Sequence, residues 1–192
     1  LRMFVVGGHS GSGKLSALPL LEDEDFTCID NLPVTLLCAL IDQLYKNPDA
    51  KKQNIAIGMD ARNIDSDLSQ IKSLVEDQLD EHDTFEIIFL FTQTDTLIKR
   101  FSETRRRHPL SNDTTDLFKA LEKEKEVLKT IEHLADITID TSRLSLHQLR
   151  SLIKQKVVGS EILGTTVICS SFGFKYGVPI DADIMFDVRC LP

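Results

Sequence analysis

The chain has 192 residues, 42% of them hydrophobic, enough to bury the core of one domain with some chain to spare. Its formal net charge of −8 at pH 7 excludes broad electrostatic wrapping of a nucleic acid, which depends on many Lys and Arg contacts to phosphates, so any such contact by this segment must be local. No stretch reads as a secretory signal, apolar runs such as Ile87-Ile88-Phe89-Leu90-Phe91 fall far short of a bilayer span, and Cys28, Cys38, Cys169 and Cys190 form neither a Cys-x-x-Cys pair nor a His-linked cluster; the expectation is a soluble, cytoplasmic protein with reduced thiols and no membrane partner.

The first apolar run, residues 3–6, reads as a strand and feeds directly into Gly8-His9-Ser10-Gly11-Ser12-Gly13-Lys14. This matches G-x-x-x-x-G-K in the context that gives it meaning, strand before and helix after. Glycines let the backbone curl so that successive N–H groups converge on phosphates, the following helix aims its positive end at them, and Lys14 reaches the β- and γ-phosphates. The bland reading is a tight turn, which would not need the lysine. One position departs from the motif. Leu15 stands where Ser or Thr would hold Mg²⁺, and the hydroxyl comes one place later at Ser16, turned by about 100° around a helix axis. Pro19 cannot donate to the carbonyl of Leu15 and costs a regular helix roughly 3 kcal/mol, so the helix is expected to be short or kinked.

Further strands are predicted at residues 26–29, 55–59, 85–91 and 137–139, with a separate one at 166–170. Between them lie helical stripes: Leu36, Leu37, Leu40, Ile41 and Leu44; Leu68, Ile71, Leu74, Val75 and Leu79; Leu117, Leu121, Leu128 and Ile131. Asp30 and Asp60 close the second and third strands, where ligands of parallel sheets bind. Asp60 ends a Walker-B-like run and is a candidate for holding Mg²⁺ and ordering the attacking water. Asp30 suits a metal or a second substrate, and either carboxylate can instead cap its turn. After the fourth strand, Lys99-Arg100-Phe101-Ser102-Glu103-Thr104-Arg105-Arg106-Arg107-His108-Pro109 concentrates positive charge. Small P-loop kinases carry a lid there whose arginines neutralise transferred phosphoryl charge. The alternatives are a solvated face paired to the Glu-rich stretch 122–126 and a local RNA contact. A last helix, with Ser145 as its N-cap and Leu146, Leu149, Leu152 and Ile153 on one side, closes the unit near Val158.

Alternating strands and helices predict an α/β fold: a P-loop three-layer sandwich with a mostly parallel sheet flanked by helices, plus the start of a second α/β domain. The expected boundaries are 1–158 for the nucleotide-binding domain, 159–164 for a connector and 165–192 for a second domain of which too little is present to bury its own core.

The phosphate loop, Cys28-Ile29-Asp30-Asn31-Leu32-Pro33, Asp60-Ala61-Arg62-Asn63, Phe101-Ser102-Glu103-Thr104-Arg105-Arg106-Arg107-His108-Pro109-Leu110-Ser111, Ser171-Phe172-Gly173-Phe174-Lys175-Tyr176-Gly177, and Asp181-Ala182-Asp183 followed by Phe186-Asp187-Val188-Arg189 together resemble the bacterial RapZ/YvcJ family from end to end of the chain. The resemblance implies ATP bound by Gly8, His9, Ser10, Gly11, Ser12, Gly13, Lys14 and Leu15, and GTP assigned to Asp60, Ala61, Arg62 and Asn63. It also implies NTP hydrolysis, with some members acting as adapters that deliver a small regulatory RNA to an endoribonuclease and so control amino-sugar synthesis. Those adapter functions depend on a C-terminal half with a basic tail, and RNA binding is therefore implied for the full-length relative. Leu15 and Pro19 stand where relatives have Ser and a helix-compatible residue. The leading expectation is a weakly hydrolysing NTP-binding domain with Lys14, Asp60 and one of Arg105, Arg106 and Arg107 in catalysis and Asp60 and Asp30 as metal candidates. A small-molecule kinase and a non-catalytic nucleotide sensor remain the alternatives, and a homo-oligomer stays open.

Overall fold

The computed structural model describes residues 1–47, 53–61, 68–104, 107–111, 116–159, 169–177, 179, 182–187 and 189, with backbone alone for residues 68–71, 158 and 176. The chain divides into two compact units, Leu1–Ser160 and Glu161–Pro192.

In the first unit, strands β1 (Arg2–Gly8), β2 (Phe26–Ile29), β3 (Asn54–Gly58), β4 (Thr84–Phe91) and β5 (Ile137–Asp140) form one parallel sheet in the order β2-β3-β1-β4-β5. The apolar runs are continuous in the three inner strands because both faces of a parallel sheet are covered. Along β1, Met3 and Val5 point into one core and Phe4 and Val6 into the other. The first core receives α2 (Leu37–Lys46), α3 (Leu68–Gln78) and α5 (Leu117–Leu134); the second receives α1 (Lys14–Glu22) and α6 (Leu146–Ile153). A helix α4 (Thr94–Thr104) packs Leu97 and Phe101 against Leu121 of α5 in a small third cluster.

The parallel sheet flanked by helices on both faces is the expected architecture, and the five strands lie where the apolar runs place them. β1 is longer than the run at 3–6 because the glycines at its end continue the pairing, Gly7 with Phe89 and Gly8 with Leu90. Ser145 caps α6 in a full capping box with Gln148. Helix α1 has nine residues with Pro19 inside it. The sixth expected strand, 166–170, lies mostly outside the described residues, as does much of the expected connector. Among the described residues, no helix is long and apolar enough to cross a membrane.

The second unit, taken by itself, holds a short 3₁₀ turn, Phe174–Tyr176. Arg189 stacks 4.4 Å from the Phe174 ring centroid and pairs with Asp187, while Ile184, Met185 and Phe186 are exposed.

Order 2-3-1-4-5 puts β1 at the centre, and the strand order reverses around it, so the chain leaving its carboxyl end enters the crevice where such sheets bind ligands. Gly8 is the exit point. Its φ is 149°, and a Cβ there would lie 2.5 Å from the carbonyl oxygen of Leu90 and 2.8 Å from Ser12 Oγ. Backbone cannot yield as a flexible side chain can. Gly8→Ala is expected to destabilise the chain by about 1–3 kcal/mol, measured as a lowered midpoint in thermal denaturation.

Candidate functional site

The loop after β1 is shaped first by its own backbone. Ser12 N–H donates to His9 O at 3.0 Å, closing a turn, and the N–H groups of Ser16 and Ala17 both donate to Gly13 O at 2.9 Å, starting α1. Gly13 caps the helix at φ 109° and ψ 11°, a left-handed conformation that glycine adopts without a Cβ penalty. Gly13, Lys14 and Leu15 enter the first turn, where backbone N–H groups have no intrahelical acceptor and carry the positive end of the helix dipole.

The loop is then tied down from outside itself. Arg100 of α4 donates through Nη1 to Gly11 O at 2.9 Å and through Nη2 to Thr141 O at 2.7 Å. Thr141 Oγ1, just past β5, donates to Ser12 O at 2.7 Å and pairs with Thr92 Oγ1 at 2.8 Å. The carbonyl and N–H of a trans peptide point in opposite directions, so holding Ser12 O against Thr141 turns the Gly13 N–H the other way. The result is a loop whose Gly11 and Ser12 carbonyls are both held from outside, the backbone arrangement that forms anion-binding concavities in other loops.

Ser10 is held by a different partner. Its N–H and Oγ donate to the two oxygens of Glu124 at 3.0 and 2.5 Å. His108 Nε2 approaches the same carboxylate at 3.1 Å. His108 Nδ1 accepts from Leu110 N–H at 3.1 Å, which leaves the ring proton on Nε2 to be donated to Glu124. Burial works to raise the Glu124 pKa, but the hydrogen bonds from His108 and Ser10 outweigh it and hold the carboxyl below its ordinary value. Lys14 Nζ donates to Gly8 O at 2.5 Å. His9 is buried against the edges of Phe89 and Phe91, with ring centroids 5.5 and 5.7 Å away. Its Nδ1 and Ser12 Oγ are buried without a hydrogen-bond partner among the described residues.

A pocket of about 250 Å³ opens beside the loop, lined by Gly11, Ser12, Gly13 and Ser16 on one side and by Arg100, Thr141 and residues 144–146 and 149 on the other. Ser16 therefore faces this pocket, while Leu15 is 67% exposed. Asp30 and Asp60 follow adjacent strands, and Asp30 Oδ1 stands 2.5 Å from where a Cβ on Gly58 would be. Asp60 is half-buried and Ala61 is buried. Arg62, Asn63, Arg105 and Arg106 lie outside the described residues, and Arg107 is exposed.

Two expectations need correction. Arg100, read with the basic segment as lid-like, is a fastening of the loop backbone. Glu124, in the stretch read as a solvated partner for arginines, is wholly buried and holds Ser10 and His108. Its signal was present: Leu121, Glu124, Leu128 and Ile131 fall on one helix face, so the carboxylate interrupts an apolar stripe. Thr92 and Thr141 left no local signal.

A family model described as the RapZ-like N-terminal domain matches residues 1–161, and one described as the RapZ C-terminal domain matches residues 165–192. The chain belongs to the RapZ-like family. A curated relative from Saccharophagus degradans, named a nucleotide-binding protein, is 58% identical over 192 residues, which are 100% of this chain and 66% of that protein. One of the same name from Cellvibrio japonicus is 48% identical over 100% of this chain and 64% of its own length. The chain thus spans about two thirds of the family members it matches. Among solved structures, shikimate kinase from Acinetobacter baumannii in complex with shikimate is similar at a TM-score of 0.51 and 16% identity, covering 84% of this chain and 94% of its own. The YorR protein of Bacillus subtilis, in complex with phosphorylated GDP, reaches 0.54 at 14% identity over 81% and 95% of the respective chains. These likenesses show that this chain has a P-loop kinase-like fold.

Burial, first among the influences on His9, lowers its pKa, against the opposing charge of Glu124. The unfolded chain then takes up a proton near the ordinary value while the folded chain resists it, so this contribution to stability is complete above pH 6.5 and is lost as pH falls below it. Chemical denaturation at pH 7 and 5.5 is expected to show a loss of up to about 1.4 kcal/mol from this residue, which His9→Phe should abolish.

Proposed function

We propose that the first unit binds a nucleoside triphosphate, ATP or GTP, with its phosphates in the loop of residues 8–15 and its nucleoside in the adjoining pocket. The observation that carries this reading is the fastening of Gly11 O and Ser12 O by Arg100 and Thr141, because a loop held open in advance spends little binding energy on ordering. Lys14 exchanges Gly8 O for the β- and γ-phosphates. Ser16, on the pocket side, meets the α-phosphate end. Leu15 contributes its backbone N–H alone. The nucleotide names of the curated relatives agree with this assignment.

The fit to Mg²⁺ is narrower. Position 15 offers no oxygen, and among the described residues no group of three His, Cys, Asp or Glu side chains converges. Mg²⁺ needs only one or two carboxylates when phosphates and water complete its shell, and Asp60, with Asp30 after the neighbouring strand, would supply them in this reading. The metal neutralises phosphate charge when bound; the chain's own part is to hold the phosphates, with an arginine among 105–107 stabilising charge on the transferred group. The outcome is weak hydrolysis. Asp60, Ala61, Arg62 and Asn63 form the GTP-linked segment, a role drawn from the family resemblance. Adapter activity toward a small regulatory RNA and an endoribonuclease belongs in this proposal to the full-length protein, since this segment carries a net charge of −8.

A second reading, a nucleotide sensor without turnover, is favoured by the exposed, oxygen-free Leu15. A small-molecule kinase has only the shared fold in its support.

Lys14→Ala is expected to weaken ATP binding at least a hundredfold in calorimetric titration, and unchanged affinity would sink the assignment. With Leu15→Ser, hydrolysis measured by phosphate release should rise about tenfold or more at little changed affinity if the sensor reading holds. No gain in turnover favours weak hydrolysis through Asp60.

A further inference from the structure

Glu124 is a carboxylate at a position that asks for an apolar side chain. It lies on the same face of α5 as Leu121, Leu128 and Ile131, all buried, and is itself wholly buried. A charge there is costly unless donors surround it, and three do: Ser10 N–H, Ser10 Oγ and His108 Nε2–H. Two of these belong to the phosphate loop, 114 residues away in sequence. The third opens a turn in which Ser111 N–H and Oγ both bond to His108 O, at 2.9 and 2.7 Å. That turn directly follows Arg107, the end of the arginine segment.

An apolar contact runs in parallel with the polar one. The His108 ring packs on Phe101 at a centroid distance of 5.3 Å, and Phe101 Cε2 lies 3.4 Å from where a Cβ on Gly11 would stand. The loop and the His108 turn are therefore joined through Glu124 to Ser10, and the Phe101 ring on which His108 packs stands beside Gly11. Neither can shift alone while the Glu124 joint holds.

We propose that Glu124 is a positioning residue that couples the phosphate loop to the turn of residues 108–111, so that the loop's shape and the placement of that turn, which directly follows Arg107, are set together. The inference rests on the phosphate-loop reading above and adds the means by which that site is shaped. Leucine at position 124 keeps the side chain's shape nearly unchanged but removes both acceptors, the Oε2 shared by Ser10 N–H and His108 Nε2–H and the Oε1 that takes Ser10 Oγ. It therefore breaks both arms at once.

The test is a double-mutant cycle of Glu124→Leu and His108→Ala in the full chain, read by amide hydrogen exchange and by titration with a fluorescent ATP analogue. Exchange of the peptide covering residues 8–14 should rise about tenfold in each single variant and no further in the double, with peptides of β4 unchanged. Affinity for the analogue should fall about tenfold in each and, again, no further in the double. Additive effects, or exchange rising equally across the sheet, would show a merely structural residue and overturn the proposal. Tighter binding by Glu124→Leu would overturn it too, by showing that the carboxylate only repels phosphate. If Glu124→Leu does not fold, Ser10→Ala takes its place in the same cycle. Lys14→Ala keeps the two readings apart: a wild-type chain that binds no analogue, or binds it independently of Lys14, removes the nucleotide reading, while the exchange arm still decides the coupling.

Discussion

The constraint on which the rest of the molecule depends is the seating of β1 at the centre of the sheet. Its side chains enter two cores at once, Met3 and Val5 into one and Phe4 and Val6 into the other. A strand held on both faces and by both neighbours has little freedom at its carboxyl end. The loop that leaves it therefore starts from a fixed point, and every later fastening, by Arg100, Thr141 and Glu124, adjusts a backbone whose origin is already set. In a loop of small residues this matters more than usual. Glycines permit the curled path but do not select it, so selection has to come from partners elsewhere.

Those partners act in a division of labour. Arg100 and Thr141 hold the loop by its carbonyls on one side, while Glu124 holds it by a N–H and a hydroxyl on the other. One side brings positive charge and hydroxyls, the other a buried negative charge. For the proposed nucleotide site, the arrangement answers an electrostatic difficulty, that of an acidic chain offering a pocket to phosphates. Long-range repulsion from a net charge of −8 is screened within about 10 Å in salt, whereas the dipoles of the loop and α1 act at contact distance, where the local geometry outweighs the overall sign.

Much of the fold could be read from the chain, and the reason is local. Apolar runs of four to eight residues flanked by amphipathic stretches carry the period of strand and helix within themselves, and Gly8 to Lys14 combine glycine spacing with the lysine in a single segment. Ser145 was legible for the same reason, since a capping box is written within four residues. The fastening partners were not. Thr141 meets Ser12 across 129 positions and Arg100 meets Gly11 across 89, and no periodicity connects residues so far apart. Arg100 was misleading because it sits in a cluster of basic residues, and composition assigns one role to all of them. Glu124 is the intermediate case: a charge on an otherwise apolar stripe is visible in sequence, but its partners are known only once the sheet has brought the loop beneath α5.

Leu15 shows how a motif can be altered in one function and kept in another. The features that hold phosphate in such a loop are backbone groups, the lysine and the helix terminus, none of which uses the side chain at position 15. The hydroxyl that the motif normally places there serves the metal alone. A leucine left 67% exposed at this point contributes little to the core, so packing does not explain its presence. Phosphate binding and metal-assisted chemistry are thus separable at a single residue. In the proposed function the sheet, the fastenings and the pocket serve the first of these, and the second would rest on the carboxylates at the ends of β2 and β3.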